Sequence, residues 1–324
     1  MILVTGGAGF IGSYLQGELT RRGVETVIAD RLGTQGKWRN IARHPPESIV
    51  HPDELDDWLD SHPPVEAVVH MAAVSQTLAT DGDHVWRTNV AMSRKLWSWC
   101  AHRDVRFIYA SSAATYGDGE AGFDDDPATL SKLEPLNLYG WSKHVFDLQV
   151  MDMLRRGAPR PPQWAGLKFF NVYGPNEYHK GSMISVVKVK HDEIAEGRAP
   201  TLFRSNTPQV QDGGQARDFI HVADTVSVML WLLDNPSVSG LFNVGTGIAR
   251  TYRDLAHAVC DAAGVERRID FVDMPEALRS QYQSFTCARI DRLRAAGYVA
   301  PFLSLEDGVA SYVRDYLRQP NPYH

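Results

Sequence analysis

The chain has 324 residues, 44% of them hydrophobic and 22% charged, with a formal net charge of −6. That length and balance fit one large or two modest soluble globular domains, and the negative charge argues against general nucleic-acid binding, which needs a basic footprint. No apolar run approaches the roughly 18 residues of a membrane span, so no membrane insertion is expected.

Cys100, Cys260 and Cys287 are scattered, odd in number and without Cys-x-x-Cys spacing, so they are expected as packed thiols rather than disulfides or zinc ligands. The 12 histidines contain no His-Glu-x-x-His arrangement, and no metal is expected. Met1 directly precedes the apolar stretch Ile2-Leu3-Val4 with no basic leader before it, which points to a cytoplasmic protein.

Short apolar stretches alternate with helical ones through the first half: Ile2-Leu3-Val4, Thr26-Val27-Ile28-Ala29, Ala67-Val68-Val69-His70 and Arg106-Phe107-Ile108-Tyr109-Ala110. This rhythm predicts an α/β fold, a Rossmann-type doubly wound parallel sheet with helices on both faces. Near-continuous apolar strands fit burial from both sides. Another strand is expected at Gly166-Leu167-Lys168-Phe169-Phe170, and Leu241-Phe242-Asn243-Val244 reads as a late return to the same sheet. The proline-rich run from 157 to 162 is expected to be a stiff surface connection. From Asn171 onward glycines and prolines break the pattern, and a substrate lobe is expected to grow there. The expected organisation is a dinucleotide-binding domain of 1–170 plus about 218–247 and a smaller C-terminal substrate domain of about 171–217 plus 248–324.

Within Thr5-Gly6-Gly7-Ala8-Gly9-Phe10-Ile11-Gly12, residues Gly6, Gly9 and Gly12 form G-x-x-G-x-x-G between the first strand and the next helix. Absent side chains let a pyrophosphate approach backbone amides there. A simple turn is the alternative, and the strand-loop-helix context argues against it. Asp30 follows the second strand, where a carboxylate accepts the ribose hydroxyls of NAD. Arg31 and Lys37 flank it and can neutralise a 2′-phosphate, so NADP is favoured, with NAD as the alternative.

Tyr139 and Lys143, four apart, lie on one face of a helix, which lets the ammonium stand beneath the phenol. Base work by a tyrosine at neutral pH needs a shift of roughly three units, about 4 kcal/mol. A cation about 4 Å away supplies roughly that much at an effective dielectric of about 20. The spacing alone also occurs by chance in helices. Ser112 follows the strand ending at Ala110 and offers a hydroxyl that orients a reacting oxygen rather than ionising.

Ser112, Tyr139 and Lys143 together make the triad of the short-chain dehydrogenase/reductase superfamily. With Leu136-Asn137-Leu138-Tyr139-Gly140-Trp141-Ser142-Lys143 and Phe170-Asn171-Val172-Tyr173-Gly174-Pro175, the chain resembles that superfamily's extended branch of nucleotide-sugar enzymes from residue 2 to beyond 300. Dehydratases of the branch carry an Asp-Glu pair after the catalytic hydroxyl residue. Here Ala113 and Ala114 stand there and cannot shuttle protons, so 4,6-dehydration is not expected.

The segments His179-Lys180-Gly181-Ser182-Met183, Arg217-Asp218-Phe219, Gly240-Leu241-Phe242-Asn243-Val244-Gly245-Thr246-Gly247, Tyr282-Gln283-Ser284-Phe285-Thr286 and Leu293-Arg294-Ala295-Ala296-Gly297-Tyr298 resemble the ADP-glycero-manno-heptose 6-epimerase family. The resemblance implies an isomerase with a tightly held, recycled nicotinamide cofactor. Carbon six of a nucleotide-linked heptose would be oxidised to a ketone, turned and reduced on its other face. The oxygen occupies a different place in each orientation, so two acid/base groups serve the two half-reactions. The resemblance assigns Tyr139 and Lys180, while a solvated lysine or a phosphate ligand is the competing reading of Lys180.

Cofactor contacts implied by the resemblance are Phe10, Ile11, Lys37, Met71, Ala72, Ala73, Val74, Ser75, Asn89 and Lys143. Implied substrate contacts are Asn171, Val172, Ser182, Phe203, Arg204, Ser205, Asn206, Arg217 and Tyr282, with Arg217 suited to a bidentate grip on a diphosphate. Lys188 and Lys190 either add positive potential or form a solvated helix face. Homo-oligomers are also implied.

The chain departs from the family pattern in three places. The loop 206–216 is longer. Asn176 and Tyr178 replace an arginine and a glycine, which is expected to put bulk near Lys180. Val189 stands where the family has a histidine. A GDP-linked heptose or another sugar nucleotide is therefore an alternative substrate. A UDP-hexose epimerase using Tyr139 without Lys180 is another reading, and a non-catalytic NADP-binding sensor or scaffold the remote one.

Overall fold

Strands apolar on both faces need cover on both faces, and the chain supplies it by alternating strand and helix. The computed structural model describes residues 1–61, 65–206, 208–276 and 284–324. Its strands are β1 (Ile2–Thr5), β2 (Thr26–Ala29), β3 (Ser48–Val50), β4 (Ala67–His70), β5 (Arg106–Ser112), β6 (Trp164–Phe169), β7 (Asn171–Tyr173), β8 (Thr201–Phe203), β9 (Ala216–His221), β10 (Gly240–Val244), β11 (Ala249–Thr251) and β12 (Asp270–Val272). The helices that concern the site are α1 (Phe10–Arg21), α2 (Leu55–Ser61), α3 (Gly82–Val85), α4 (Met92–Arg103), α5 (Leu138–Arg155), α6 (Val186–Ala195), α7 (Val222–Asp234) and α8 (Tyr252–Ala263).

Seven strands form one sheet in the order β3-β2-β1-β4-β5-β6-β10, with every neighbouring pair parallel. Because side chains alternate along a strand, Leu3, Val27, Val68, Phe107 and Tyr109 pack beneath α2, α4 and α5, whereas Ile2, Val4, Ala67, Val69 and Ile108 pack beneath α1 and α7. A one-residue slip would exchange the two sets, so the register is fixed by packing on both faces. The doubly wound sheet and the late return of β10 follow the sequence-based expectation. Edge strand β3 was not expected, since Ser48 and Ile49 are exposed and give no apolar run.

Chain order runs outward from β1 to β3 and then returns to the other side of β1 at β4. This reversal opens a crevice above the carboxyl ends of β1 and β4, where such sheets bind ligands. Beside it, β7, β9 and β11 form a small mixed sheet, and β8 pairs with β12. A third core of Tyr173, Val187, Phe219, Leu255, Val259, Val309 and Tyr312 underlies this part. Cys100 and Cys260 are buried and Cys287 partly so. Among the described residues no helix is long and apolar enough to cross a membrane.

Candidate active site

The glycine-rich loop leaves β1 and enters α1 with backbone packed on backbone. Gly6 has φ +68°, and a Cβ on it would lie 2.7 Å from the Ala72 amide nitrogen; one on Gly12 would lie 2.3 Å from the Gly6 carbonyl oxygen. Only glycine fits either place. Gly9 is the N-cap of α1 and supplies no side-chain cap, so the first amides of the helix face the crevice as a cradle for an anion. This arrangement fits a dinucleotide pyrophosphate.

Asp30 follows β2 and holds that loop: its carboxylate accepts from Ala8 N at 2.9 Å and from Arg31 N at 2.7 Å. Lys37 pairs with the same carboxylate, and Arg31 pairs with Asp53. Beneath the loop, His70 Nδ1 lies 2.6 Å from Thr5 Oγ1 and its Nε2 lies 2.9 Å from Ser93 Oγ. Burial, aided by the charge of Lys143, pushes His70 down to about 3, so it stays neutral. Asn89 sits in a π-helical turn, Trp86–Ala91, a distortion frequent at functional sites. Its Oδ1 accepts from Val74 N at 2.8 Å, and its Nδ2 donates to Val74 O at 3.0 Å and Ser142 Oγ at 2.9 Å. Asn89 thereby ties the 71–75 segment to α5.

Asn137 caps α5 by accepting from Gly140 N at 2.8 Å, which puts Tyr139 in the first turn and Lys143 one turn later. Gly140 allows that turn to reach the segment after β5, since a Cβ on it would lie 2.5 Å from Ala114 O. Tyr139 and Ser112 are thereby brought near each other. Burial raises the Tyr139 phenol, and the nearby Ser112 hydroxyl pulls it the other way. Lys143 is buried, and its Nζ donates to Ala110 O at 2.9 Å, so this hydrogen bond runs to the end of β5 rather than to the phenol. Burial lowers Lys143 to about 8, against the opposing charge of Asp147.

Sequence reasoning missed the frame behind these residues. Asp147, one turn after Lys143, accepts from Tyr109 OH at 3.0 Å, Ser111 Oγ at 2.7 Å and Lys168 Nζ at 2.8 Å. Lys168 also donates to Thr115 Oγ1 at 2.7 Å. The signal was available as a lysine within the apolar strand β6 and an aspartate on the face of α5 that carries Lys143.

Lys180 lies against the glycine-rich loop, with Nζ 5.1 Å from the centre of the Phe10 ring. Burial lowers it, and the Glu177 carboxylate works against that shift. Glu177 is itself fixed by Ser185 N at 2.7 Å and Ser185 Oγ at 2.6 Å. The expectation that Asn176 and Tyr178 crowd Lys180 is not what their bonds indicate: Asn176 donates to Ser13 Oγ at 3.0 Å and Tyr178 to Pro322 O at 2.8 Å.

Asn171 is exposed at the start of β7, next to half-buried Val172, and pairs in register with Phe219 of β9. Two residues before Phe219, Arg217 is buried, donates to Ala216 O at 2.9 Å and lies 5.7 Å from the Tyr252 ring centre. Phe203 ends β8; Arg204 pairs with Asp212 at 3.6 Å and Asp273 at 3.4 Å, and Asp212 also accepts from Ser205 N at 2.8 Å. Ser182 and Asn206 are exposed. Tyr282 lies outside the described residues. Buried Asp218, adjacent to Arg217, accepts from Thr246 N at 2.7 Å, Gly247 N at 2.9 Å and Ala288 N at 3.0 Å, fastening the loop after β10 to β9. Lys188 and Lys190 find carboxylates within α6, Asp192 and Glu193.

The crevice therefore joins a dinucleotide cradle to a serine, tyrosine and lysine at the neighbouring strand ends. Residues 2–245 match the model of the NAD dependent epimerase/dehydratase family. The chain belongs to this family. Its cofactor is a nicotinamide dinucleotide. An ADP-L-glycero-D-manno-heptose-6-epimerase from Nitratidesulfovibrio vulgaris strain DP4 is 50% identical over 100% of both chains. A crystal structure of the Helicobacter pylori enzyme of that name has TM-score 0.80 and 26% identity, covering 97% of this chain and 95% of that one. Thermus thermophilus UDP-glucose 4-epimerase in complex with NAD has TM-score 0.76 and 26% identity, covering 96% and 97%.

Proposed function

We propose that the protein inverts carbon six of a nucleotide-activated heptose, ADP-D-glycero-manno-heptose, to the L-glycero epimer. The observation that carries this reading is the seat of Lys180, a half-buried lysine against Phe10 at the mouth of the cofactor cradle, in a chain 50% identical end to end to an enzyme named for this reaction. Residues 1–170 plus about 218–247 would hold the cofactor, and about 171–217 plus 248–324 the sugar nucleotide. When bound, the nicotinamide supplies the acceptor and later the donor of one hydride. Gly6, Gly9, Phe10, Ile11 and Gly12 would carry the pyrophosphate, residues 71–75 with Asn89 would line the crevice, and Asp30 would take the adenosine ribose. Arg31 and Lys37 beside Asp30 support a preference for NADP over NAD, since each cation can answer a 2′-phosphate.

Ser112 orients the carbon-six oxygen, and Tyr139 takes or gives its proton in one half-reaction. Lys143, cationic below about pH 8, stabilises the phenolate that burial disfavours. After the ketone turns, Lys180 serves the other half-reaction. Its lowered pKa suits a proton carrier, and Glu177 keeps the cation accessible. Arg217 would hold the diphosphate, with Asn171, Val172, Ser182, Phe203, Arg204, Ser205, Asn206 and Tyr282 around the sugar nucleotide. A cytoplasmic homo-oligomer completes the proposal, supported by the family resemblance.

The closeness of Lys180 to Phe10, the first residue of α1, also favours a second reading in which Lys180 holds a phosphate. Lys180→Met and Tyr139→Phe, assayed on the ADP-heptose, separate the two. An acid/base role predicts a kcat loss of about 10²–10⁴-fold for each. A phosphate role predicts raised KM or lost cofactor with kcat retained for Lys180→Met. Full activity in both variants would reject the mechanism.

A further inference from the structure

The two departures from the family pattern beside Lys180 have one shared partner, the segment 321–324. Asn176 is buried at φ +75°, a left-handed conformation that asparagine adopts more readily than most residues with a side chain. Its side chain accounts for its persistence. Oδ1 accepts from His324 N at 2.9 Å, while Nδ2 donates to Ser13 Oγ at 3.0 Å and Asn40 O at 3.3 Å. Asn40 Nδ2 in turn donates to Ala8 O in the glycine-rich loop at 2.9 Å and lies 3.1 Å from His179 Nδ1. One network thus runs from His324 through Asn176 and Asn40 to the cofactor loop on one side and to the neighbour of Lys180 on the other.

Tyr178 holds the same segment at a second point, through its hydroxyl to Pro322 O at 2.8 Å and an edge-on contact with Tyr323 at 5.1 Å between ring centres. The His324 ring completes the grip on α1. It stacks on Tyr14 at 3.6 Å with planes 12° apart, and its Nε2 lies 3.0 Å from Glu18 Oε1 and 2.6 Å from Arg21 Nη1. Gly17 makes room for it, since a Cβ there would lie 2.9 Å from the ring. The whole side chain is thereby wedged between α1 and the Lys180 loop.

The geometry points to Asn176, Tyr178 and residues 321–324 as a positioning strap that presses the 176–180 loop onto α1 and sets where Lys180 stands over the cofactor cradle. The inference rests on the proposed second-base role of Lys180 for its effect on rate, but not for its effect on the loop. A loop lysine free to shift by about 1 Å loses on the order of 10²-fold in rate. This explains why bulk at 176 and 178 is compatible with the reaction: both side chains are engaged by the strap.

The test uses the holoenzyme with three changes: Asn176→Gly, which keeps the left-handed backbone and removes only the side chain; Tyr178→Phe; and deletion of 321–324. Amide exchange at Lys180 and Met183, which donate to Glu177 O and Lys180 O, reports the loop directly. Asn176→Gly and the deletion are expected to speed that exchange by about tenfold or more and to lower kcat by on the order of 10²-fold with KM within about threefold. Tyr178→Phe should give a smaller change of the same kind. In a Lys180→Met background the same changes should lower kcat no further, because they act through Lys180. Unchanged exchange in both larger variants overturns the strap, as does a kcat loss that simply multiplies with that of Lys180→Met. If Lys180→Met alone keeps wild-type kcat, the second-base reading fails, and the exchange result alone decides the strap. If the deletion does not fold, Asn176→Gly and Tyr178→Phe carry the test.

Discussion

Replacing Lys168 by methionine should destabilise the protein far more than a surface lysine would. The Lys168 and Asp147 side chains are both fully buried, with 2.8 Å between Nζ and Oδ2. Methionine fills much of the lysine volume but leaves the Asp147 carboxylate with the neutral donors Tyr109 OH and Ser111 Oγ. Breaking a buried pair in this way costs about 3–5 kcal/mol. An unfolding entropy near 2.1 cal/mol/K per residue, taken over the whole chain, turns that into a fall in Tm of about 4–8 °C. Urea titration followed by far-UV circular dichroism measures the free energy. Lys168→Met combined with Asp147→Asn should recover more than half the loss, because the amide keeps hydrogen bonds to Tyr109 and Ser111 without an unpaired charge. A loss below about 1 kcal/mol for Lys168→Met, the range of an exposed pair, would mean that the buried pair contributes no more than a surface one.

Lys143 binds its proton less tightly folded, at about 8, than at the ordinary value of 10.5. Between those values the unfolded chain holds the extra proton, so stability contributed by this residue rises with pH across the window; wild type should gain on Lys143→Met between pH 8 and 10 in urea titrations. The pH profile of kcat should show a basic limb as Lys143 loses its charge. Gly12→Ala, whose Cβ would meet Gly6 O at 2.3 Å, should release the dinucleotide, seen as loss of cofactor from purified protein on extraction. Lys37→Ala should weaken NADP relative to NAD by about 10–100-fold in calorimetric titration, the range of a charge-assisted hydrogen bond.

The parallel sheet was legible because β1, β2, β4, β5, β6 and β10 are buried on both faces and so spell apolar runs. Edge strand β3 exposes two of its residues and spells none. Tyr139, Lys143 and Ser112 were legible because their spacing is local to one helix and one strand end. Their hydrogen bonds were not: Lys143 reaching Ala110 O and Asp30 reaching Ala8 N depend on how strand ends meet across the crevice. That Lys190 is buried was not legible, because beside its partner Glu193 one turn on it meets Thr201 of β8, a contact set by how the chain returns after α6. Asn176 looked like an obstruction because its partner His324 is 148 positions away, and no local pattern encodes such a contact.

In the proposed reaction carbon six is inverted by removal and return of its own hydrogen. The most direct measurement is proton NMR of the purified protein with ADP-D-glycero-manno-heptose in D2O, without added cofactor. A mixture of both epimers in which carbon six keeps its proton is expected, because the hydride never exchanges with solvent while Tyr139 and Lys180 handle only the oxygen-bound proton. Absence of conversion, or an L-glycero product carrying deuterium at carbon six, would contradict it.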